Sequence, residues 1–346
     1  MKISLLNYRN ADCFCINPTF SLLAYYSFWP GAMAKENQTA SLPEFLLLGF
    51  SDLRALQGPL FWLVLLVYLV TLLGNTVIIF LTQASPALHS PMYFFLRHLS
   101  VVELLYTTDI VPRTLADLAS PNPRAISFQG CAAQMHVFIV LGISECCLLT
   151  VMTYDRYAAI CQPLYYSTLM SQQACVTMVG TSWLMGVITA TTHSSLIFTL
   201  PFPSHPVVPH FLCDILPVLR LASAGKHRSE VSVMTATVVF IMVPFSLIVT
   251  SYARILSAIL AMTSTQSRRK VFSTCSSHLL VVTLFFGTAS MTYIRPQAGS
   301  SVTTDRILSL FYTVITPMLN PIIYTLRNKE VTGALQHVVK RHVPSP

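Results

Sequence analysis

Residues 153–161, Thr-Tyr-Asp-Arg-Tyr-Ala-Ala-Ile-Cys, close a long apolar run that begins at Cys131. The run contains one other charged residue, Glu145. About 20 apolar residues, each rising 1.5 Å along a helix, cross the hydrocarbon core of a membrane. Charged groups are costly at that depth. The pair Asp155-Arg156 therefore predicts a functional polar cluster at the end of a membrane-spanning helix.

The whole chain repeats this pattern. Of its 346 residues, 53% are hydrophobic and 10% are charged, and the mean hydropathy is +0.62, outside the usual range for soluble proteins. We predict seven spans, numbered one to seven, at about 60–82, 92–116, 131–158, 174–196, 231–257, 271–294 and 304–326. The second is the weakest because Glu103, Asp109 and Arg113 interrupt it. The spans lack the alternation of barrel strands, so we expect an all-α membrane protein, a seven-transmembrane helical bundle.

Loop charges and one glycosylation sequon indicate the orientation. Lys and Arg are in slight excess on the side that holds Arg156 and the C-terminus, which marks the cytoplasmic face. Asn37-Gln38-Thr39 is the only sequon, and glycan transfer requires a lumenal segment; a chance tripeptide is the alternative. We expect the N-terminus outside and the C-terminus in the cytoplasm. The chain then divides into an extracellular segment at 1–58, a seven-transmembrane domain at 59–326 and a short cytoplasmic tail at 327–346.

The first 32 residues allow two interpretations. Phe20–Trp29 is a short apolar stretch, and Ala32-Met33-Ala34 after it has the outline of a signal-peptide cleavage site. The apolar core is poor, since it contains two tyrosines and two serines. We favour the alternative in which Met33 is the usual start and residues 1–32 are an optional extension.

Two of the nine cysteines stand apart from the rest. Most cysteines lie within the spans as small apolar residues. Cys131 opens the third span on the outer side, and Cys213 lies in the long outer loop between spans four and five. The outer face is oxidising, so a bridge between them would tie the loop over the mouth of the bundle. Two unrelated free thiols are the alternative.

Six short motifs follow one another in a fixed order along the chain. They are Gly74-Asn75, Leu88 to Leu96, Met152 to Cys161, Ser251-Tyr252, Lys270 to His278 and Pro317 to Tyr324. In this order and spacing they are highly specific, and from about residue 37 to residue 335 the chain resembles the odorant receptors, within the rhodopsin-like G-protein-coupled receptors.

Some positions depart from the family pattern. Pro203 and Ser223 stand where the family usually has two further outer-loop cysteines, so the resemblance implies the single disulfide Cys131–Cys213. Glu103 replaces a more frequent Asp and keeps the charge. Span six reads Phe285-Phe286-Gly287 where Phe-Tyr-Gly is common, so one hydroxyl is missing from the expected pocket floor.

The resemblance implies that a small volatile odorant binds in the outer half of the bundle. An apolar lining with few hydroxyls gains affinity from buried area and specificity from one or two hydrogen bonds. The residues expected at the ligand are Phe138, Ile139, Gly142, Ile143, Ala236, Phe240, Ala289, Ser290, Tyr293, Leu310 and Thr313. Phe138 and Tyr293 are the strongest candidates because both are large and near the outer mouth. For each of the others, ordinary helix packing is an equal alternative.

The resemblance also implies a switch at the inner end, which a stimulatory, olfactory-type heterotrimeric G protein reads. Asp155 would hold Arg156 at rest and release it in the active state. The switch residues carried over from the family pattern are Asp155, Arg156, Tyr157, Tyr252, His278, Asn320, Pro321 and Tyr324. The expected location is the plasma membrane, in the cilia of sensory neurons. The basic run Arg268-Arg269-Lys270 is expected to bind anionic membrane lipid, and no nucleic-acid partner is expected.

The alternatives to this function are an enzyme, a transporter and a receptor for another kind of ligand. The sequence contains no zinc-protease, serine-hydrolase or phosphate-loop motif, so we do not expect an enzyme. Glu103 and Glu145 are intramembrane carboxylates that could serve a transporter, although no internal repeat is visible. A rhodopsin-like receptor for a non-odorant ligand is the nearer alternative.

The same two carboxylates are the only candidate cofactor site. Two like charges at that depth require compensation, so one holds a proton or a cation such as Na⁺ lies between Glu103 and Glu145. The alternative is separate hydrogen bonds from each acid to neighbouring side chains such as Asn75, Ser100, Ser144 or Asn320. Apart from this possible Na⁺, we expect no cofactor.

Overall fold

Seven apolar segments form seven long helices. The structure is a computed structural model that describes residues 44–120, 122–294, 301–327 and 329–342. Spans one to four are the helices Arg54–Ala84, Pro91–Leu118, Phe128–Cys161 and Gln172–Phe198. Span five is His227–Ala261, span six is Thr265–Tyr293, and span seven consists of Val302–Leu310, Phe311–Ile315 and Thr316–Arg327. The predicted seven-helix bundle is confirmed.

Six of these helices are long and apolar enough to cross a membrane. Among the described spans, span two is the one that does not meet this combination of length and composition. Most of the helices extend past the predicted apolar cores, and serine caps set the starts of spans three, four and seven. Ser127 accepts a hydrogen bond from the amide of Gly130 at 3.1 Å, and Ser301 accepts one from Thr304 at 3.2 Å. A proline at the first position starts span two.

Span three lies at the centre of the bundle and packs against spans two, four and five. Gly186 of span four allows the closest approach, because a Cβ there would lie 2.4 Å from the carbonyl oxygen of Val140 in span three. Gly74 plays the same part between spans one and seven, where a Cβ would lie 2.9 Å from the side chain of Pro321. These two contacts fix the helix spacing on either side of the bundle.

Pro321 also opens the backbone of span seven. A proline has no N–H, so the carbonyl of Pro317 loses its helical partner. The side-chain amide of Asn75 in span one donates to that carbonyl at 3.4 Å and to the carbonyl of Thr71 at 3.1 Å. The Gly74-Asn75 motif therefore provides both the space and the hydrogen bond that the proline requires.

Two π-turns interrupt the helices on the outer half of the bundle. They occupy Val238–Met242 in span five and Phe311–Ile315 in span seven. Side chains satisfy carbonyls in each turn: Cys146 donates to the carbonyl of Phe240 at 2.7 Å, and Thr316 donates to that of Phe311 at 3.3 Å. Such turns commonly mark functional sites, and the sequence did not predict them.

A small sheet covers the outer end. Strands β1 (Phe45–Leu47), β2 (Arg124–Ile126) and β3 (Val207–Val208) pair in the order β2-β1-β3, antiparallel and then parallel. The all-α prediction missed this sheet because each strand has two or three residues. Phe45 is fully buried and contacts the rings of Phe128, Phe198 and Phe202.

The disulfide Cys131–Cys213 is present, with the two Cα atoms 5.5 Å apart. It holds the outer loop, which continues into a short helix, Ile215–Leu221, over the bundle.

The inner end carries two further helices, Tyr166–Leu169 and Lys329–His342. The second lies within the predicted cytoplasmic tail, and its Glu330 accepts a hydrogen bond from the hydroxyl of Tyr93 at 2.8 Å. Residues 1–32 and the sequon at Asn37 lie outside the described residues, so the extension and the glycan stay predictions.

Candidate ligand cavity and inner switch

A cavity opens in the outer half of the bundle, among spans two to seven. It holds about 740 Å³ of empty space, its opening included. Its wall consists of Tyr106, Phe138, Ile139, Gly142, Ile143, Cys146, Thr189, His193, Ile215, Val233, Ala236, Thr237, Phe240, Ile241, Phe285, Ala289, Tyr293 and Tyr312. The wall is predominantly apolar, with a few polar groups, as expected of a small-molecule site.

Eight of the eleven predicted ligand-contacting residues lie in this wall. They are Phe138, Ile139, Gly142, Ile143, Ala236, Phe240, Ala289 and Tyr293. Ser290, Leu310 and Thr313 do not line it; Thr313 is fully buried and donates to the carbonyl of Ser309 at 2.6 Å. The π-turn after Leu310 directs Tyr312, rather than Leu310 or Thr313, at the cavity. Ligand contact by any of these residues stays a prediction.

A buried acid meets two tyrosines of the wall. Asp214 follows the disulfide and accepts hydrogen bonds from the amide of Ile215 at 2.7 Å and from the hydroxyls of Tyr293 and Tyr312 at 3.1 and 3.3 Å. Burial raises the pKa of Asp214 to about 6, although these hydrogen bonds favour the carboxylate. The contact joins the outer loop to spans six and seven. We call Asp214, Tyr293 and Tyr312 the outer latch.

Span four contributes two residues to the cavity wall, Thr189 and His193, that the sequence did not predict. Thr189 and His193 lie one turn apart on the buried face that begins at Gly186. Nδ1 of His193 lies 2.8 Å from the carbonyl oxygen of Thr189. In the sequence, Thr189 and His193 follow Gly186 at helical spacing. This pattern indicates an inward face only when Gly186 is known to pack on span three.

Ionic contacts hold the outer ends of the helices. Arg306 of span seven is buried and lies 2.6 Å from the carboxylate of Asp52, and it donates to the carbonyl of Pro209 at 3.1 Å. His210 stacks on Phe211 with the ring centres 4.6 Å apart, and burial lowers the pKa of His210 to about 3. The outer loop is therefore fixed to span seven and to the segment before span one.

At the inner end, Asp155 and Arg156 form the predicted ion pair. The Nε atom of Arg156 donates to Asp155 at 2.9 Å, and Asp155 is fully buried. The structure adds a partner: the hydroxyl of Tyr166, in the short helix after span three, donates to the other oxygen of Asp155 at 2.8 Å. Asp155 thus holds both the arginine and the intracellular loop. We call these three residues the inner lock.

The remaining switch residues surround this lock. Tyr252 of span five and His278 of span six are hydrogen-bonded at 2.6 Å. Tyr157 packs on a small apolar cluster that includes Ile255 and Cys275. Tyr324 of span seven is buried, and its hydroxyl has no hydrogen-bond partner among the described residues.

Asn320 lies deeper in the bundle than the prediction implied, at a pair of carboxyl groups. Its side-chain amide donates to one oxygen of Glu103, and Glu145 of span three lies close enough to Glu103 for the two carboxyl groups to interact electrostatically. Both glutamates are buried. Within the described residues, no group of three or more His, Cys, Asp or Glu side chains could hold a metal ion.

Comparisons with known proteins agree with this arrangement. A family model described as olfactory receptor matches residues 64–342, which include the cavity and the inner lock. Human olfactory receptor 10P1 is 84% identical over 314 residues, covering 91% of this chain and 100% of the relative. Mouse olfactory receptor 10P22 is 60% identical over 314 residues, with the same coverage. Human olfactory receptor 10C1 is 49% identical over 306 residues, covering 88% of this chain and 98% of the relative.

Proposed function

The chain belongs to the olfactory receptor family, and from this premise we propose that it binds a small, mostly apolar odorant in the described cavity and activates a stimulatory, olfactory-type heterotrimeric G protein. Membership makes it an odorant receptor that crosses the plasma membrane several times, and not an enzyme. Family membership also favours a receptor over the alternative function, a transporter that uses Glu103 and Glu145.

The cavity is the observation that supports odorant binding. An odorant that buries about 200 Å² of apolar surface gains roughly 5 kcal/mol at ~25 cal/mol per Å². Association and ordering costs reduce this gain, so weak to moderate affinity is expected. Such affinity suits a detector of volatile molecules, since the ligand must also leave.

Coupling to the G protein is supported by the helices that the cavity shares with the inner end. Spans five, six and seven each supply wall residues, and the same spans carry Tyr252, His278 and Tyr324 near the inner lock. A ligand shifts a two-state receptor only through different contacts with the two states. We propose that odorant contact with Phe240, Phe285 and Tyr312 moves these helices and releases Arg156 to the G protein.

We further propose that Glu103 and Glu145 carry one monovalent cation. Two like charges buried side by side in the membrane interior require compensation, by a proton or by a cation. One oxygen of Glu103 and the side-chain oxygen of Asn320 are buried and without a partner among the described residues, so oxygen ligands for Na⁺ are present as well. A cation there would hold spans two, three and seven together in the resting state.

Filling the cavity tests odorant binding. Gly142 lies in the wall, and a Cβ there would meet Tyr106 at an unstrained 3.9 Å, so Gly142→Leu places its side chain in the empty space. Gly180→Leu is the matched control, since nothing lies within 4 Å of a Cβ at Gly180. In cells, we expect the cyclic-AMP response to a volatile panel to fall at least tenfold in Gly142→Leu and to stay intact in Gly180→Leu, at equal surface expression. Equal responses in both variants would contradict binding in this cavity.

A further inference from the structure

Two neighbouring polar side chains of span four, Thr189 and His193, lie in the predominantly apolar wall of the cavity. Most of the other polar side chains of the wall have partners within the bundle: Tyr293 and Tyr312 donate to Asp214, and Thr237 donates to the carbonyl of Val233 at 2.9 Å. Cys146 donates to the carbonyl of Phe240. These groups have no remaining proton to offer, so they contribute little to recognition of a polar ligand.

Thr189 and His193 of span four are different. The Nδ1 atom of His193 lies 2.8 Å from the carbonyl oxygen of Thr189. A carbonyl oxygen only accepts, so Nδ1 carries the proton, and in the neutral ring Nε2 is then an acceptor. That Nε2 atom is buried and has no partner among the described residues, and His193 is only 4% exposed.

The Thr189 hydroxyl is the complementary group. Threonines in these spans commonly return their hydroxyl to the carbonyl four residues earlier, as Thr192 does to Ile188 at 2.9 Å. The described residues contain no such bond from the hydroxyl of Thr189, although its residue is 9% exposed and lines the cavity. Thr189 and His193 are one turn apart, so an unpartnered hydroxyl in the wall and an unpartnered, buried acceptor lie on the same face of the helix.

We propose that Thr189 and His193 form a hydroxyl-recognition site and that the ligand is a small alcohol or phenol with an apolar body. The ligand hydroxyl donates its proton to Nε2 of His193 and accepts one from the hydroxyl of Thr189. Side-chain rotations of the kind common on binding uncover Nε2 as the ligand enters. The apolar body occupies the space towards Phe240 and Phe285. This inference rests on the proposed odorant function and names the ligand class of the same cavity.

Matched ligand pairs test the proposal. Aliphatic alcohols and phenols are compared with their methyl ethers, which keep the carbon skeleton and an acceptor oxygen but lose the proton. In the intact receptor we expect the alcohols to activate cyclic-AMP production at concentrations about tenfold lower than the ethers, as the loss of a buried hydrogen bond implies. Equal potency of alcohols and ethers would overturn the hydroxyl site while leaving the receptor function in place.

Three variants locate the effect. His193→Phe should reduce the advantage of alcohols over ethers, because only the alcohols donate a proton to Nε2. Thr189→Val should weaken alcohols and ethers alike, because both ligand oxygens accept from its hydroxyl. Thr192→Val, on the exposed face of the same helix, should leave both responses unchanged. A retained ether response in His193→Phe shows that its cavity is intact. If His193→Phe does not reach the surface, His193→Gln decides, since its side-chain oxygen keeps an acceptor and should retain the advantage. Unchanged potency of both ligand types in Thr189→Val would overturn the site, and a wild type silent to every volatile would overturn the odorant function with it.

Discussion

Asp155 shows how a single buried carboxylate can set the resting state. Its two oxygens have different partners, Arg156 and Tyr166, and the second partner lies in an intracellular loop. Burial and the neighbouring Asp155 carboxylate raise the pKa of Tyr166 well above its ordinary value, so its hydroxyl stays a donor at every physiological pH. The inner lock therefore depends on a hydroxyl as well as on the ion pair.

Removing that hydroxyl should weaken the lock without removing the arginine. We expect Tyr166→Phe to raise basal cyclic AMP by roughly three- to tenfold, since a hydrogen bond to a charged group stabilises the resting state. Tyr165→Phe is the control, because Tyr165 is 67% exposed and next in sequence. Arg156→Ala should silence both basal and odorant-driven signalling at normal surface expression. A basal level in Tyr166→Phe equal to that of Tyr165→Phe would show that the loop contact does not hold the switch.

The outer latch should respond to external pH. Asp214 has a pKa of about 6 against an ordinary 3.8, so it changes from carboxylate to acid as the pH falls from about 7.5 to about 5. The folded receptor keeps this proton to a higher pH than the unfolded chain. Acidification through this window therefore does not destabilise the fold through Asp214. The acid accepts more weakly from Tyr293 and Tyr312, so the latch over the cavity loosens.

As the external pH falls from about 7.5 to about 5, we expect the odorant concentration for half-maximal response to rise several-fold in the wild type. In Asp214→Asn this concentration should vary much less. Asp305→Asn is the control, since Asp305 is a partly exposed acid paired with Arg220 at 3.7 Å. The cyclic-AMP dose-response curve measures the effect. The same pH dependence in Asp214→Asn and in the wild type would assign the titration to another group.

At this scale the sequence predicted the residues that belong to motifs and missed those defined by burial. Asp155, Arg156, Tyr252 and His278 could be named because the motif that contains each is specific. Asp214 could not, since its tyrosine partners lie 79 and 98 residues away and its chemistry comes from burial.

Among the helices, small residues decide which pairs come close. Gly74 meets Pro321 and Gly180 meets nothing within 4 Å, although both are helical glycines in apolar spans. We expect Gly74→Ala to reduce the yield of folded receptor at the cell surface, because a Cβ 2.9 Å from the proline ring must push spans one and seven apart. Gly180→Ala should be neutral or stabilising by up to about 1 kcal/mol of helix propensity. Thermal denaturation of the two purified variants measures this, and equal stability would contradict the packing role of Gly74.

Element by element, hydrophobic length was sufficient to predict the seven helices. Most of the helices extend beyond the predicted spans, and at spans three, four and seven a serine cap such as Ser127 determines where the helix starts. The two π-turns could not be predicted, because in each a side chain outside the turn satisfies a displaced carbonyl. Cys146 of span three donates to the carbonyl of Phe240, and Thr316, which follows the second turn, donates to that of Phe311. The outer sheet was missed because strands this short carry no readable alternation.

Across the whole molecule, span seven connects the three polar sites. Its Tyr312 is part of the outer latch, its Asn320 donates to Glu103, and its Tyr324 lies near the inner lock. Tyr312 lies within the π-turn Phe311–Ile315, and Pro321 interrupts the helix next to Asn320. A segment with two interruptions can change shape locally, so ligand contact at Tyr312 has a structural route to the carboxyl pair in the middle of the bundle.

The carboxyl pair itself provides the last prediction. If Glu103 and Glu145 share a cation that stabilises the resting state, basal cyclic-AMP production should fall as extracellular sodium rises, because Na⁺ binds the resting bundle more tightly than the active one. In Glu145→Gln the pair loses one charge, and an amide N–H replaces the shared proton, so basal activity should be shifted and insensitive to sodium. Choline replaces sodium at constant ionic strength in the control series. A flat wild-type curve, or parallel curves in the two proteins, would exclude Na⁺ and leave a proton on the pair.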